Sequence, residues 1–406
     1  MNHNPIRTLH IETAEDGTTG GSHRSLHDLV SGLVGLGVSP TVLFYEDNAF
    51  VPRLRDKGID VRVWQRSRQE EVAAFGRLPS SMRLLPVVRH FLRRSRFLKD
   101  QAFDLIHLNN SPFTGHTDWL PAALTRGIPC VASMRGDATE PVTARQRAIF
   151  RFYSKVVPVS HYVSASPTCQ AIGHPKVEVI PNGVDLDRLQ VARLDATEVE
   201  RTRRRLGVSV PQQFLAVMAG TIRRWKGQLN VVHALTHLRP HDLARLKLVF
   251  VGGWGPRDEG YVQEVRSLVR EQGLSEHVQL LGHRRDVPQL FSAADVAIHN
   301  STTHEPFGLV VVEALAMGTP VLAAKGGGPV EIIHRGGGLL HDPHQPQKLA
   351  DHLSLTLNDP GLRIRLSEEA ERVADRYSIE NTRRRMARLY HSLLARPFPE
   401  ELERSA

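Results

Sequence analysis

The chain has 406 residues and a mass of 45.4 kDa, enough for about two domains. With 41% hydrophobic and 23% charged residues it has the make-up of a globular protein, which excludes wholesale disorder and fibrous or low-complexity structure. Lys and Arg outnumber Asp and Glu by 52 to 43, a net charge of +9, so an anionic partner is expected: nucleic acid, an anionic lipid surface or a phosphorylated small molecule.

The first residues carry no apolar signal-like core, so no secretory leader is expected. No run of 18 apolar residues follows, so no membrane span is expected either. In chain order, β-rich apolar runs stand at Thr41–Tyr45, Val61–Trp64, Asp104–Asn109, Pro129–Met134, Lys155–Ser160 and Val177–Pro181. Helical patterns at Ser22–Gly37, Leu84–Leu98 and Asp118–Arg126 separate them. Strands alternating with helices imply parallel βαβ units, and strands without polar alternation are buried on both faces.

The charged stretch Leu189–Val210 reads as a linker, after which the design restarts. Strands are expected at Phe214–Gly220, Lys247–Gly252, Val278–Gly282, Val296–Asn300 and Pro320–Ala324, and helices at Gly227–Leu238, Tyr261–Gln272 and Leu309–Met317. The amphipathic segment Ile379–Leu394 comes after the second sheet is complete. The expected organisation is α/β: domains at 1–190 and 191–378, and a C-terminal helical segment, 379–406, returning to the first domain. Ligands of two doubly wound domains facing each other bind between them, at the carboxyl ends of the strands. Cys130 and Cys169 are the only cysteines. They cannot form a disulfide scaffold, and they fit a reducing cytosol. No Cys/His spacing suggests a metal site.

The most informative string is His304-Glu305-Pro306-Phe307-Gly308-Leu309, running on through Val310–Val312 to Glu313. Pro306 suits a first helical turn. The amides of Phe307, Gly308 and Leu309 would then open from a helix N-terminus, an anion site that Gly308 lets a phosphate approach closely. Glu313 lies in an apolar helix, where a carboxylate needs hydrogen-bond donors such as ribose hydroxyls. Read alone, Glu305 is a helix-start acid and Glu313 half of an ion pair.

With these residues the chain resembles glycosyltransferase family 4. The resemblance extends through Thr19-Gly20-Gly21-Ser22, Pro181-Asn182-Gly183-Val184-Asp185, Lys226-Gly227 and Gly326–Ile333. It implies the GT-B fold, with two Rossmann-like domains facing across a cleft. It also implies transfer of a sugar from a UDP- or GDP-linked donor with retention of configuration, no cofactor and no required metal. By the same resemblance, Glu313 holds the ribose and Glu305 the donor sugar. Lys226 and the backbone of Phe307–Leu309 hold the diphosphate, with Gly21 at a second phosphate-facing turn and Arg284 beside the base. Front-face attack, with the leaving phosphate taking the acceptor proton, needs no acid/base pair of carboxylates.

Two departures stand out. Thr221 occupies a position where the family has arginine, and Arg223 or Arg224 could supply the missing cation. Arg135 stands where many members have a histidine facing the transferred sugar. A guanidinium there can bind a hydroxyl or phosphate but cannot act as a base, so Arg135 is expected to join Lys226 and Glu305 in catalysis, or else to form a salt bridge.

Arg83–Lys99 carries six basic residues and no acid. Leu85, Val88, Phe91, Leu92 and Phe97 lie on one side, flanked by Arg89, Arg93, Arg94 and Arg96. The segment is either a membrane-facing amphipathic helix or a domain helix with its apolar stripe in the core. The expected protein is cytoplasmic or peripheral at the inner membrane face. The acceptor is a polysaccharide, glycolipid or small molecule. Weighed against this are a nucleotide-sugar epimerase or hydrolase, a non-catalytic binding protein, and a nucleic-acid binder for which no motif is present.

Overall fold

The computed structural model describes residues 4–12, 21–64, 84–112, 119–136, 142–209 and 213–399. Thr19, Gly20 and Arg83 lie outside them. The chain divides into two compact units, residues 1–183 with 379–406, and residues 184–378.

In the first unit, β1 (Ile6–Glu12), β2 (Val38–Phe44), β3 (Asp60–Val63), β4 (Leu105–Asn109), β5 (Cys130–Met134) and β6 (Lys155–Pro158) form one parallel sheet, ordered β3-β2-β1-β4-β5-β6. In the second, β7 (Phe214–Ala219), β8 (Leu246–Val251), β9 (Val278–Leu280), β10 (Val296–His299), β11 (Val321–Ala324) and β12 (Gly338–His341) are ordered β12-β11-β10-β7-β8-β9. Counted from its own first strand, each sheet runs 3-2-1-4-5-6, the doubly wound order whose ligands lie beyond the carboxyl ends of the strands. Every residue of β4, β5 and β7 is buried, as expected for parallel strands covered by helices on both faces. Edge strand β3 instead exposes Asp60 and Arg62, which pair with each other.

Sequence expectation and structure part at several places. β1 was not foreseen; only Ile6, Leu9 and Ile11 of its seven residues are apolar, and the fully buried His10 breaks the pattern between the last two. Val177–Pro181 forms no strand. It bonds one-sidedly to the rim of β6 (Glu178 to Val156, Ile180 to Pro158), and prolines 158 and 181 lack the N–H groups a full ladder needs. Leu189–Val210 is not a plain linker. Helices Leu186–Val191 and Ala196–Arg205 start where Asp185 and Asp195 accept bonds from the backbone N–H groups of the first turn, and Glu198 completes a capping box.

The helix Ile379–Leu393 belongs to the first unit. Its Met386, Ala387, Leu389 and Tyr390 are buried in that unit's core with Leu29, Val30 and Leu33. Thr382 bonds the Pro181 carbonyl, Arg383 that of Asp28, and Arg396 pairs with Asp104.

The basic helix spans Leu84–Gln101. Its inward face takes only part of the apolar stripe read from the sequence, Phe97 included. Arg94 is 2% exposed, with its guanidinium 5.4 Å from the Trp119 ring centre, and Leu98 is buried beside it. Phe97 meets Trp64 and Trp119 edge-on. Val88 and Leu92 face solvent, 45% and 58% exposed. A long aliphatic stem with a planar cation can fill an aromatic pocket that an apolar residue would otherwise occupy, and this rotates Val88 and Leu92 outward. Among the described residues no helix is long and apolar enough to cross a membrane.

Candidate active site

In the second unit the chain leaves β10 through Asn300, Ser301 and Thr302 and reaches Glu305. The Glu305 carboxylate takes three contacts on one oxygen, Oε2. Lys226 Nζ lies at 2.5 Å, the Ser301 hydroxyl donates at 2.9 Å, and His299 Nε2 is at 3.5 Å. The Lys226 and Glu305 side chains are only 14% and 16% exposed. Burial alone would push the Glu305 carboxyl up. The hydrogen bond from His299 and the charges of Lys226 and His299 together hold it well below the usual carboxylate range. The shift favours the anionic form of Glu305 at neutral pH. Lys226 Nζ also sits 4.0 Å from the centre of the Trp225 ring.

Glu305 runs extended, bridged to Gly327, and Gly328 N–H donates to its carbonyl at 2.8 Å. A Cβ on Gly327 would lie 2.0 Å from the Glu305 carbonyl oxygen, so only glycine lets the two loops touch here. Phe307 is buried and packs edge-on against Tyr377. Gly308, at φ 96°, caps a helix that begins at Leu309. Pro306 therefore stands before the helix rather than in its first turn, because the bridge to Gly327 and the anchored Phe307 ring hold residues 305–307 out of helical conformation. The first amides of Leu309–Ala316 still lack intrahelical acceptors, as at every helix start. Glu313 lies one turn further on, 6% exposed.

The structure brings Lys226, Glu305, Phe307, Gly308, Leu309 and Glu313 into one unit at the carboxyl edge of its sheet. Thr221 is exposed just past β7. The two arginines considered as its substitutes both have carboxylate partners, Arg223 with Asp258 at 3.2 Å and Arg224 with Glu264 at 2.5 Å. Arg284 is exposed and forked onto Asp286, which raises its pKa through that hydrogen bond.

In the first unit Gly21 opens the helix Gly21–Val30. Arg135 follows β5 and makes no ion pair among the described residues; it donates to two amide oxygens, Asn109 Oδ1 at 2.9 Å and Asn182 Oδ1 at 2.5 Å. Asn109 in turn donates to Glu12, which lies opposite it in the β1–β4 register. Burial lowers the Arg135 guanidinium to about 10, against the pull of Glu12 and Tyr390. A small cavity bounded by Ser25, Leu29, Ile180, Asn182 and Met386 adjoins it. Behind it, His107 links Tyr390 of the C-terminal helix (2.5 Å) to Ser133 (2.8 Å) and stacks on His10 at 5.2 Å.

The sequence reading missed Ser301, His299 and Asn300, although three polar residues at the end of a buried strand were the available signal. It also missed Glu12 and Asn109, the residues that orient Arg135.

Residues 19–188 match the family model described as Glycosyltransferase Family 4, and residues 200–373 that described as Glycosyl transferases group 1. Over 314 residues, 71% of each chain, the protein is 30% identical to the D-inositol 3-phosphate glycosyltransferase of Corynebacterium efficiens. The chain belongs to glycosyltransferase family 4. Another D-inositol 3-phosphate glycosyltransferase, from Jonesia denitrificans, is also 30% identical, over 308 residues and 71% of each chain. Among solved structures, this glycosyltransferase is similar to Anabaena HepE in complex with UDP-glucose (25% identity, TM-score 0.77, 95% of this chain and 100% of that one). It also shares its fold with a glycosyltransferase from Rickettsia africae (20% identity, TM-score 0.81, 97% and 99% covered). The fold is GT-B.

Proposed function

We propose that this glycosyltransferase moves a hexose from a UDP-linked donor to a hydroxyl acceptor with retention of configuration and without a metal. The Lys226–Glu305 pair beside the Leu309 helix start carries the reading. As the bond from the anomeric carbon to the diphosphate oxygen breaks, negative charge grows on the departing UDP. A lysine and free helix amides already in place stabilise that charge without reorganisation. The acceptor oxygen forms the new bond on the same face, and its proton passes to the departing phosphate oxygen. Glu305, kept anionic, holds hydroxyls of the sugar, and Glu313 those of the ribose. The UDP-glucose complex of the Anabaena relative supports the choice of donor. The names of the curated relatives make inositol 3-phosphate, a phosphorylated cyclitol, the acceptor to test first. The experiment incubates the protein with UDP-glucose or UDP-N-acetylglucosamine and inositol 3-phosphate, follows UDP release, and reads the product's anomeric configuration by NMR. An inverted product would sink the retaining mechanism, and UDP release unaffected by any acceptor would favour a hydrolase.

The exposed face of Leu84–Gln101 favours a second element of the reading, a peripheral site on an anionic bilayer. Val88 and Leu92 project among Arg89, Arg93, Arg96 and Lys99, and exposed Leu124 lies on the neighbouring helix, whose following Arg126 bonds Ser95. Apolar side chains ringed by cations suit the boundary of anionic headgroups and acyl chains. The protein should co-sediment with phosphatidylglycerol vesicles at low salt, not with phosphatidylcholine vesicles, and Leu92→Gln with Arg89→Gln should release it. Wild type that ignores both vesicles would remove the membrane from the reading.

A further inference from the structure

The side chain of Lys226 matters only if its loop holds the ammonium in place, and the second unit contains a device for that. Trp225 and Gly227, the residues on either side of Lys226, are both bonded to the segment that follows β10. The Trp225 carbonyl accepts from the Thr302 N–H at 2.7 Å and from its hydroxyl at 3.2 Å. The Gly227 carbonyl accepts from Asn300 Nδ2 at 3.1 Å. Gly227 has φ 75°, and a Cβ there would lie 2.3 Å from the Asn300 carbonyl oxygen, so the loops meet with no room for a side chain.

The orientation of Asn300 is itself determined. A carbonyl can only accept, so the Asn300 amide must turn its NH₂ to Gly227. Its Oδ1 then faces His341 Nε2 at 2.8 Å, and that nitrogen must carry a proton. Asn300 and His341 are 1% and 2% exposed, so neither can exchange this bond for one to water, and a flipped amide would face oxygen to oxygen and N–H to N–H. His341 closes β12 and His352 packs edge-on beside it at 6.2 Å.

We propose that Asn300, oriented by His341, is the positioning residue for Lys226, fixing where its ammonium meets the donor diphosphate. This rests on the reading of Lys226 as the diphosphate cation. The same short segment carries Ser301 and leads to Glu305, so cation and carboxylate share one frame.

The test is a mutant cycle read by calorimetric affinity for UDP, with thermal unfolding as a check on folding. Lys226→Ala should weaken UDP binding by about tenfold or more, the scale of a lost charge-assisted contact. Asn300→Ala should weaken it roughly three- to tenfold in the wild-type background and hardly at all in the Lys226→Ala background, because residues acting as a unit are not additive. His341→Gln, which can still donate to Asn300 Oδ1, should keep wild-type affinity. His341→Leu should behave like Asn300→Ala. Equal losses from Asn300→Ala in both backgrounds, or His341→Leu binding UDP like wild type while folded, would overturn the positioning role and leave the site reading intact. If Lys226→Ala binds UDP as well as wild type, the reading of Lys226 itself fails.

Discussion

In the free protein Glu305 pairs with Lys226, the cation proposed to meet the donor diphosphate. Replacing it by Gln keeps the side chain's shape and removes its charge. A phosphate oxygen reaching Lys226 Nζ from the side away from Glu305, whose Oε2 lies at 2.5 Å, would sit about 5 Å from that carboxylate. At an effective dielectric of ~20, two unit charges at that distance repel by about 3 kcal/mol before solvent and relaxation reduce the effect. Glu305→Gln should therefore bind UDP more tightly, by roughly tenfold, or about 1.4 kcal/mol. The same change leaves a mostly buried ammonium without its counterion, a loss on the scale of about 3 kcal/mol in the ligand-free protein.

Three outcomes are thus expected together: a lower Tm without ligand, a larger upward shift of Tm with saturating UDP, and turnover of UDP-glucose reduced by roughly 10²-fold or more, because the contact to the sugar is lost. Calorimetry, thermal unfolding and UDP release on one preparation measure all three. A variant that binds UDP more weakly than wild type would show that Glu305 does not compete for Lys226, and the electrostatic argument would fall.

Arg135→Ala should lower kcat while leaving UDP affinity near wild type, since Lys226, Glu313 and the Leu309 helix start, proposed to hold UDP, lie in the other unit; Arg135→Lys, lacking the planar fork that meets Asn109 and Asn182, should not restore turnover fully. Parallel loss of stability and affinity in Arg135→Ala would make it a structural residue. Activity should survive excess EDTA, because Lys226 and the helix amides supply the charge a metal would; a strict Mg²⁺ or Mn²⁺ requirement would contradict this.

The repeated strand–helix alternation was plain in the sequence because parallel strands buried on both faces are written as unbroken apolar runs, of which Phe214–Ala219 is an example. Where the pattern misled, a tertiary contact had overridden it. His10 interrupts the apolar run of β1 because it stacks on His107 in the interior. Arg94 turns inward because the Trp119 ring offers it a partner, and Val88 and Leu92 of the same helix face solvent as a result. The Glu305 loop was legible as chemistry but not as conformation. A proline after an acid looks like a helix start, and only the long-range bridge to Gly327 shows that the helix waits until Leu309. Asn300 and His341, separated by 41 positions, could not be joined by any reading of local sequence.

Those buried histidines have a consequence for acid stability. Burial, and then the charge of Arg135, lowers His10 to about 3. Burial, with His10 and Arg135, lowers His107 well below its usual value, and burial, with His352 and His299, lowers His341 to about 3. Each is neutral in the folded protein, whereas in the unfolded chain each takes up a proton below about 6.5. The unfolded state therefore binds more protons as pH falls, so stability present above pH 6.5 is lost on the way down. Each such histidine contributes a slope of about 1.4 kcal/mol per pH unit once the pH is well below 6.5. Between pH 6.5 and 5, above the range of ordinary carboxylates, histidines dominate this slope. His107→Gln, which can still bond Tyr390 and Ser133, should make the first unit's urea unfolding less sensitive to pH in that window, by up to about that amount. An unchanged slope would mean that His107 is already protonated in the folded protein, and the buried neutral pair at the core of the first unit would have to be abandoned.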